Sequence, residues 1–121
     1  MTIFEDFLFW VLSIQEDDPI PYEVFHIYFV ASMRNNACAL SLTGTELFEN
    51  PVMNFEFYPL EAYYFKNQTY NDIKDIFIAK ITVKELVEKA LENPNFKRIF
   101  KNKQIHITEY GEKIDYTFNV K

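Results

Sequence analysis

The sequence predicts a single α+β domain with a largely antiparallel sheet and helices packed on one of its faces. Its 121 residues suit one domain. Helical and strand-like apolar patterns lie in separate stretches, an arrangement typical of α+β proteins. The C-terminal residues have the alternation and the turn signal of a β-hairpin.

The first element is a helix. Thr2 and Glu5 match a capping box, and apolar residues recur at helical spacing through position 12. Residues 15–21 contain two prolines and the acidic pair Asp17 and Asp18, so we expect a solvated loop there.

Residues 22–34 allow two interpretations. Their β-branched and aromatic content suits a strand, whereas Pro21 before them and Asn35-Asn36 after them suit the ends of a helix. The helix is favoured because about a dozen residues pass without a turn signal. Residues 37–43 then read as a short strand that ends at Gly44.

Residues 55–65, FEFYPLEAYYF, place six aromatic rings in eleven positions. Alternation over residues 53–58 and again over 60–65, on the two sides of Pro59, predicts two strands joined by a proline turn. In this interpretation the phenylalanines enter the core. Tyr58, Tyr63 and Tyr64 are then candidates for an exposed edge or a contact with a partner.

Three elements are predicted between residues 73 and 101. Apolar residues on both alternating faces of 73–81 predict an interior strand. Thr82 and Glu85 form a second capping-box pattern, and apolar residues at helical spacing predict a helix over 83–91. Residues 95–101 are expected to form a further short helix.

The C-terminal hairpin has a predicted register. A two-residue turn at Gly111-Glu112 pairs Ile107 with Tyr116 and Ile105 with Phe118. The same register pairs Glu109 with Ile114, Thr108 with Asp115 and His106 with Thr117. It gives one apolar and one polar face, and a slip by one residue would reverse them.

Charge is distributed unevenly along the chain. The net charge is −6; residues 1–65 carry ten acids and one base, and residues 66–121 carry eight acids and eleven bases. The simpler interpretation is that the two halves interleave and neutralise each other. The alternative is an acidic face that meets a basic partner. An acidic chain repels phosphates, so nucleic acid is disfavoured as a partner.

No pattern in the sequence predicts catalysis, a metal site or a cofactor. His26, His106 and Cys38 show no ligand or nucleophile spacing. Gly44 and Gly111 are the only glycines, which leaves no glycine-rich loop to hold a phosphate. The balance favours a protein that is not an enzyme.

The leading hypothesis is a small acidic interaction protein, such as an inhibitor, an immunity factor or an accessory factor, that docks on a protein partner. Its candidate surface consists of Tyr58, Tyr63, Tyr64, Glu56, Glu61, Asp17 and Asp18. One alternative is a ligand-binding or enzymatic domain with a pocket between the helices and the aromatic strands, where His26 or Cys38 would line the cavity. Another is a homodimer, whose partner is a second copy.

The expected location is the cytoplasm. A single cysteine rules out an internal disulfide, and Glu5 and Asp6 stand where a secretory signal needs positive charge. No apolar run reaches the roughly 20 residues of a membrane span, so no membrane association is expected.

Overall fold

The computed structural model describes residues 2–121. Its elements in chain order are α1 (Ile3–Asp17), β1 (His26–Arg34), β2 (Ala37–Thr45), α2 (Gln68–Asn71), α3 (Ile76–Ala90), α4 (Pro94–Ile99), β3 (Gln104–Glu109) and β4 (Ile114–Asn119). The strands form one four-stranded sheet in the order β2-β1-β3-β4. The α+β fold class is confirmed.

Two of the three strand pairings are antiparallel. β1 pairs with β2, and β3 with β4, as antiparallel neighbours, whereas the central pair β1–β3 is parallel. A parallel pair needs a long crossover, which here contains β2 and the three helices α2, α3 and α4.

The main hydrophobic core lies between the helices and one face of the sheet. Ile27, Phe29, Leu42, Ile105 and Ile107 supply the sheet side, and all are completely buried. Buried residues of all four helices pack against them: Phe7, Trp10, Val11, Ile14, Tyr70, Ala79, Val83, Leu86, Val87, Ala90 and Phe96. Burial of this apolar area is the main stabilisation of the fold.

The predicted helix over 22–34 is wrong, because residues 26–34 form the central strand β1. Asn35 and Asn36 are not a helix exit. They adopt φ of 49° and 61° and close a two-residue hairpin in which Arg34 pairs with Ala37. This is the left-handed geometry of a type I′ turn. Residues 27–31 are buried on both faces, which explains the absence of polar alternation.

The predicted strand over 73–81 is also wrong, since a single helix, α3, begins at Ile76. Asp75 caps it by accepting a hydrogen bond from the Phe77 amide. Thr82 is not a cap but lies inside the helix, where its hydroxyl donates to the Ile78 carbonyl at 2.8 Å. Phe77, Ile78 and Ile81 are exposed, and these exposed apolar residues produced the strand-like pattern.

Other predictions of local structure are confirmed. Thr2 and Glu5 form the expected reciprocal capping box of α1, although this helix continues to Asp17, so residues 15–17 are not a loop. The helical face of residues 83–91 packs on the core. The short helix near 95–101 is present as α4.

The C-terminal hairpin has the predicted register in four pairs, from Gln104–Asn119 to Ile107–Tyr116. Beyond Ile107 the register shifts, and Thr108 pairs with Ile114 instead of Asp115. At this shift the Thr108 hydroxyl lies within hydrogen-bond distance of the carbonyl oxygens of Glu109, Glu112 and Lys113, one of which accepts its single proton. The predicted pair Glu109–Ile114 is therefore wrong.

Residues 46–66, here called the covering segment, connect β2 to α2. Their first part lies over the sheet face opposite the helices, whereas residues 57–65 follow the outer edge of β2, with Phe57 and Phe65 in the main core. Val52 and Phe55 pack on Tyr28 and Val30 of β1, and the Asn50 side chain accepts from the Ile114 amide at 2.8 Å. The segment thus crosses from β2 to β4 and returns.

The two strands predicted within residues 53–65 do not form. The segment makes only two isolated bridges to the outer edge of β2, Gly44–Phe57 and Ser41–Tyr64. Pro59 has no amide hydrogen to donate to a ladder. Hydrogen bonds that Leu60 and Ala62 form with α1 and its C-cap residue further limit pairing with β2, so no continuous ladder forms. These bridges still occupy an edge that would otherwise be open to pairing with another chain.

Within residues 2–121, no helix combines the length and the apolar character that crossing a bilayer requires.

We expect Gly44→Ala to destabilise the protein by ~1–3 kcal/mol, because its Cβ would lie 2.5 Å from Val24 Cγ1 in a packed region. Gly111→Ala is the matched control: it strains a turn with φ of 76° but meets no atom within 4 Å, and costs about 1 kcal/mol. Urea unfolding measures both.

The same substitution in a Val24→Ala background provides a stricter check. The cost of Gly44→Ala should fall clearly when the clashing methyl group is absent, because the two sites are in contact. Fully additive costs would contradict the proposed clash.

Candidate functional site

The three predicted tyrosines lie together on the surface of the covering segment. Tyr58 is 48% and Tyr64 37% exposed, and Tyr63 is half-buried between them. Their rings meet edge to face, with centroids 6.0 Å apart for Tyr58–Tyr63 and 4.7 Å for Tyr63–Tyr64. Phe55 extends the row, 6.4 Å from Tyr58. Edge-to-face pairs are favourable contacts that stiffen such a cluster.

Buried phenylalanines on either side position this row. Phe57 and Phe65 both enter the core, and their amides donate to Gly44 and Leu40 of β2 at 3.1 and 2.8 Å. As predicted, Phe57 and Phe65 are buried and Tyr58 and Tyr64 are exposed. Phe55, also expected in the core, is only half-buried. Through the Phe57 and Phe65 amides, the row is attached at both ends to the outer edge of β2.

Helix α1 anchors the middle of the same stretch. The Trp10 indole Nε1 donates to the Ala62 carbonyl at 2.7 Å. The Asp18 carboxylate, at the C-cap of α1, accepts from the Leu60 amide at 3.0 Å. The structure thereby brings the acidic end of α1 beside the tyrosines, although some 40 residues separate them in sequence.

The predicted acidic residues line this surface without cationic partners. Asp17, Glu56 and Glu61 are exposed, and Glu56 accepts a hydrogen bond from the Glu46 amide. The ion pairs in the described chain all lie elsewhere, on Lys80 and Lys84 of α3. Glu61 stands at the border of a groove of about 480 Å³ between α1 and residues 61–66.

Sequence reasoning missed further apolar residues of the covering segment. Four more large side chains are exposed there: Leu47, Phe48, Met53 and Leu60. The signal that could have found them is length. A connection of about 20 residues without regular structure is uncommon in a compact domain unless it has a function.

A second pocket, of about 480 Å³, lies on the other side of the tyrosine row, against β1 and β2. Arg34, Ser32 and Ser41 from the strands face Tyr63 and Tyr64 across it. Burial raises the pKa of Tyr63, and so does the nearby Tyr64; Ser41 and Arg34 oppose the rise. The Tyr63 hydroxyl therefore keeps its proton at neutral pH and remains a hydrogen-bond donor.

The two histidines, far apart in sequence, form a stacked pair beneath the covering segment. His26 Nδ1 and His106 Nε2 are 3.1 Å apart, and His106 Nδ1 is 2.9 Å from the Thr117 hydroxyl. Phe48 packs against both rings. The hairpin face predicted to be polar is thus covered, and His106 and Thr108 are buried.

Burial and, to a lesser degree, the neighbouring His26 lower the pKa of His106 to about 4. Burial also lowers the pKa of His26, while a hydrogen bond with Gln104 opposes this. Only one proton can occupy the space between the two facing nitrogens. Because both pKa values lie below 6.5, the pair is largely uncharged at neutral pH.

Cys38 lies in the main core beside Tyr70. It is buried, and burial raises the pKa of its thiol. Burial likewise raises the pKa of Tyr70. A thiol held protonated is a poor nucleophile. Neither pocket described above is lined by Cys38 or His26.

Within residues 2–121, no group of three or more histidine, cysteine or carboxylate side chains is placed to hold a metal ion. No family model, no curated protein and no solved structure matches the chain.

The histidine pair predicts a loss of stability in acid. Below pH 6.5 the unfolded chain protonates His106, whereas the folded chain does not until about pH 4. The unfolded state therefore binds more protons in this window, and stability decreases as pH falls through it. We expect the contribution of His106 between about pH 7 and pH 5 to be ~1–2 kcal/mol.

Urea unfolding at several pH values measures this effect, with His106→Gln as the comparison. Carboxylates contribute equally to both proteins, so the variant should show the shallower pH dependence. Identical pH dependence would show that His106 is not held neutral in the fold.

Proposed function

We propose that this protein is an interaction module that docks on a basic protein partner. Its docking surface, here called the acidic aromatic surface, consists of Asp17, Asp18 and the covering segment. The observation that carries the proposal is the contiguous row Tyr58–Tyr63–Tyr64, exposed beside carboxylates that form no ion pair within residues 2–121.

The composition of this surface resembles that of protein interfaces. Six of the fourteen large apolar side chains exposed in the described chain belong to the covering segment. Such a concentration marks a contact site more often than scattered exposed residues do. Tyrosines are frequent hot-spot residues because they bury a large area with little loss of side-chain entropy.

The charge of the surface defines the partner. The surface has one lysine, Lys66, and six carboxylates: Asp17, Asp18, Glu46, Glu49, Glu56 and Glu61. A basic patch on a partner would be attracted from a distance, which accelerates association at low salt. If a second copy docked by the same surface, carboxylates would face carboxylates. Self-association through this surface is therefore disfavoured.

Anchoring of the segment supports the proposal in energetic terms. Trp10, Asp18 and the edge of β2 each hold the stretch 57–65 by hydrogen bonds. A surface that is ordered before binding loses less conformational entropy on binding. The tyrosines can then contribute more of their contact energy to affinity.

We expect the triple variant Asp17→Asn, Glu56→Gln, Glu61→Gln to lose at least about tenfold in affinity for the partner at low salt. The tagged protein is used to capture partners from lysate of the source organism, and the captured protein is eluted with rising salt. Elution by about 0.5 M salt is expected, since screening weakens attraction between exposed charges.

The matched control is Glu85→Gln, Glu92→Gln, Glu112→Gln, which removes three equally exposed carboxylates outside the acidic aromatic surface. It should capture the partner like the wild type. Tyr58→Ala should weaken capture, and Tyr22→Ala, which truncates an exposed tyrosine elsewhere, should not. The proposal would be contradicted if both triple variants lost partner capture equally, or if only the tagged protein itself were recovered.

A further inference from the structure

The pocket against β1 and β2 has the features of a ligand site, and it shares Tyr63 and Tyr64 with the acidic aromatic surface. It encloses about 480 Å³, within the range of small-molecule sites. Residues 30, 32 and 34 of β1 point to one face of the sheet because strand side chains alternate. The covering segment and Tyr110 from the β3–β4 turn complete the walls.

Arg34 is the only cationic residue among those that line the pocket, and the only base in residues 1–65. Its Nη1 donates to the Tyr64 hydroxyl at 2.6 Å, and its guanidinium carbon lies 5.3 Å from the centre of the Tyr64 ring. Within residues 2–121 no carboxylate pairs with it, although the first half of the chain is strongly acidic.

A guanidinium has five N–H donors in a planar fork, and the hydrogen bond to Tyr64 uses one of them. The remaining donors suit two parallel hydrogen bonds to a carboxylate. Ser32, Ser41 and Tyr63 add hydroxyls around the same space. These groups together form a polar end suited to an anion.

The rest of the wall is apolar or aromatic. Val30, Met33 and Phe55 line it together with the rings of Tyr63 and Tyr110. Such walls favour a ligand whose apolar part is an aromatic ring or an aliphatic chain, because it packs on the rings and displaces water. The pocket thus combines one charged end with an apolar interior.

We propose that this pocket binds a small organic carboxylate with an aromatic or aliphatic body. One guanidinium matches one negative charge. A phosphate group, with its second charge, would need a further cation, and the net charge of −6 repels a dianion more strongly than a monoanion. This inference goes beyond the proposed docking function and does not require it.

The test is titration of the isotope-labelled full chain with phenylacetate, indoleacetate and hexanoate, followed by amide NMR. Phenylacetamide and phenethylamine serve as neutral and cationic analogues. We expect at least one carboxylate to bind with a Kd below about 1 mM, with shifts concentrated at Ser32, Ser41 and Tyr64. The amide and the amine should bind at least about tenfold more weakly.

Arg34→Gln should weaken carboxylate binding at least about tenfold, while Arg34→Lys should retain part of it because the charge remains. Arg98→Gln is the matched control, since Arg98 is exposed on α4 outside this pocket, and should bind like the wild type. The melting temperature of each variant verifies folding.

The proposal is overturned if no carboxylate shifts the pocket amides at about 10 mM, if phenylacetamide binds as well as phenylacetate, or if folded Arg34→Gln keeps its affinity. These results leave partner capture untouched, because that experiment depends on Asp17, Glu56 and Glu61. The two proposals can therefore fail independently.

Discussion

The whole structure depends on covering both faces of the central strand β1. The helices cover one face, and residues 28 and 30 on the other face are equally buried. The second cover is the covering segment, which has no helix and no strand. Such a chain must satisfy its backbone polar groups individually, since a buried unpaired group is costly.

Several hydrogen bonds meet that requirement, and they also shape the surface. The Tyr28 hydroxyl accepts a hydrogen bond from the Glu49 amide, and the Asn50 side chain accepts one from the Ile114 amide on β4. Gly44 and Phe57 form two backbone hydrogen bonds with each other. At the attachment to Gly44, the Phe57 side chain turns inward and its neighbours Glu56 and Tyr58 stay exposed. The exposed tyrosines and the Arg34 pocket both result from these attachments.

Sequence reasoning succeeded where a local rule determined the structure. The capping box of Thr2 and Glu5, the helical face of residues 83–91 and four pairs of the last hairpin depend only on near neighbours along the chain. The exposure of Tyr58 and Tyr64 between buried phenylalanines also follows from local alternation.

It failed where tertiary burial overrides the local pattern. β1 is apolar on both faces because two layers cover it, so it lacks the alternation that identifies a strand. The Asn35-Asn36 turn was the signal for its hairpin. The approach of Asp18 to Leu60, the His26–His106 pair and the pocket around Arg34 join distant parts of the chain. No spacing along the sequence reveals such contacts.

Hydrogen exchange of the native protein tests the anchoring of the covering segment most directly. The Phe57 and Phe65 amides donate to β2 and should exchange slowly, at rates close to those of the sheet. The Tyr58 and Glu61 amides donate to no acceptor within residues 2–121 and should exchange fast. Fast exchange at all four positions would show that the segment is not held against the sheet, and would contradict this account of the surface and the pocket.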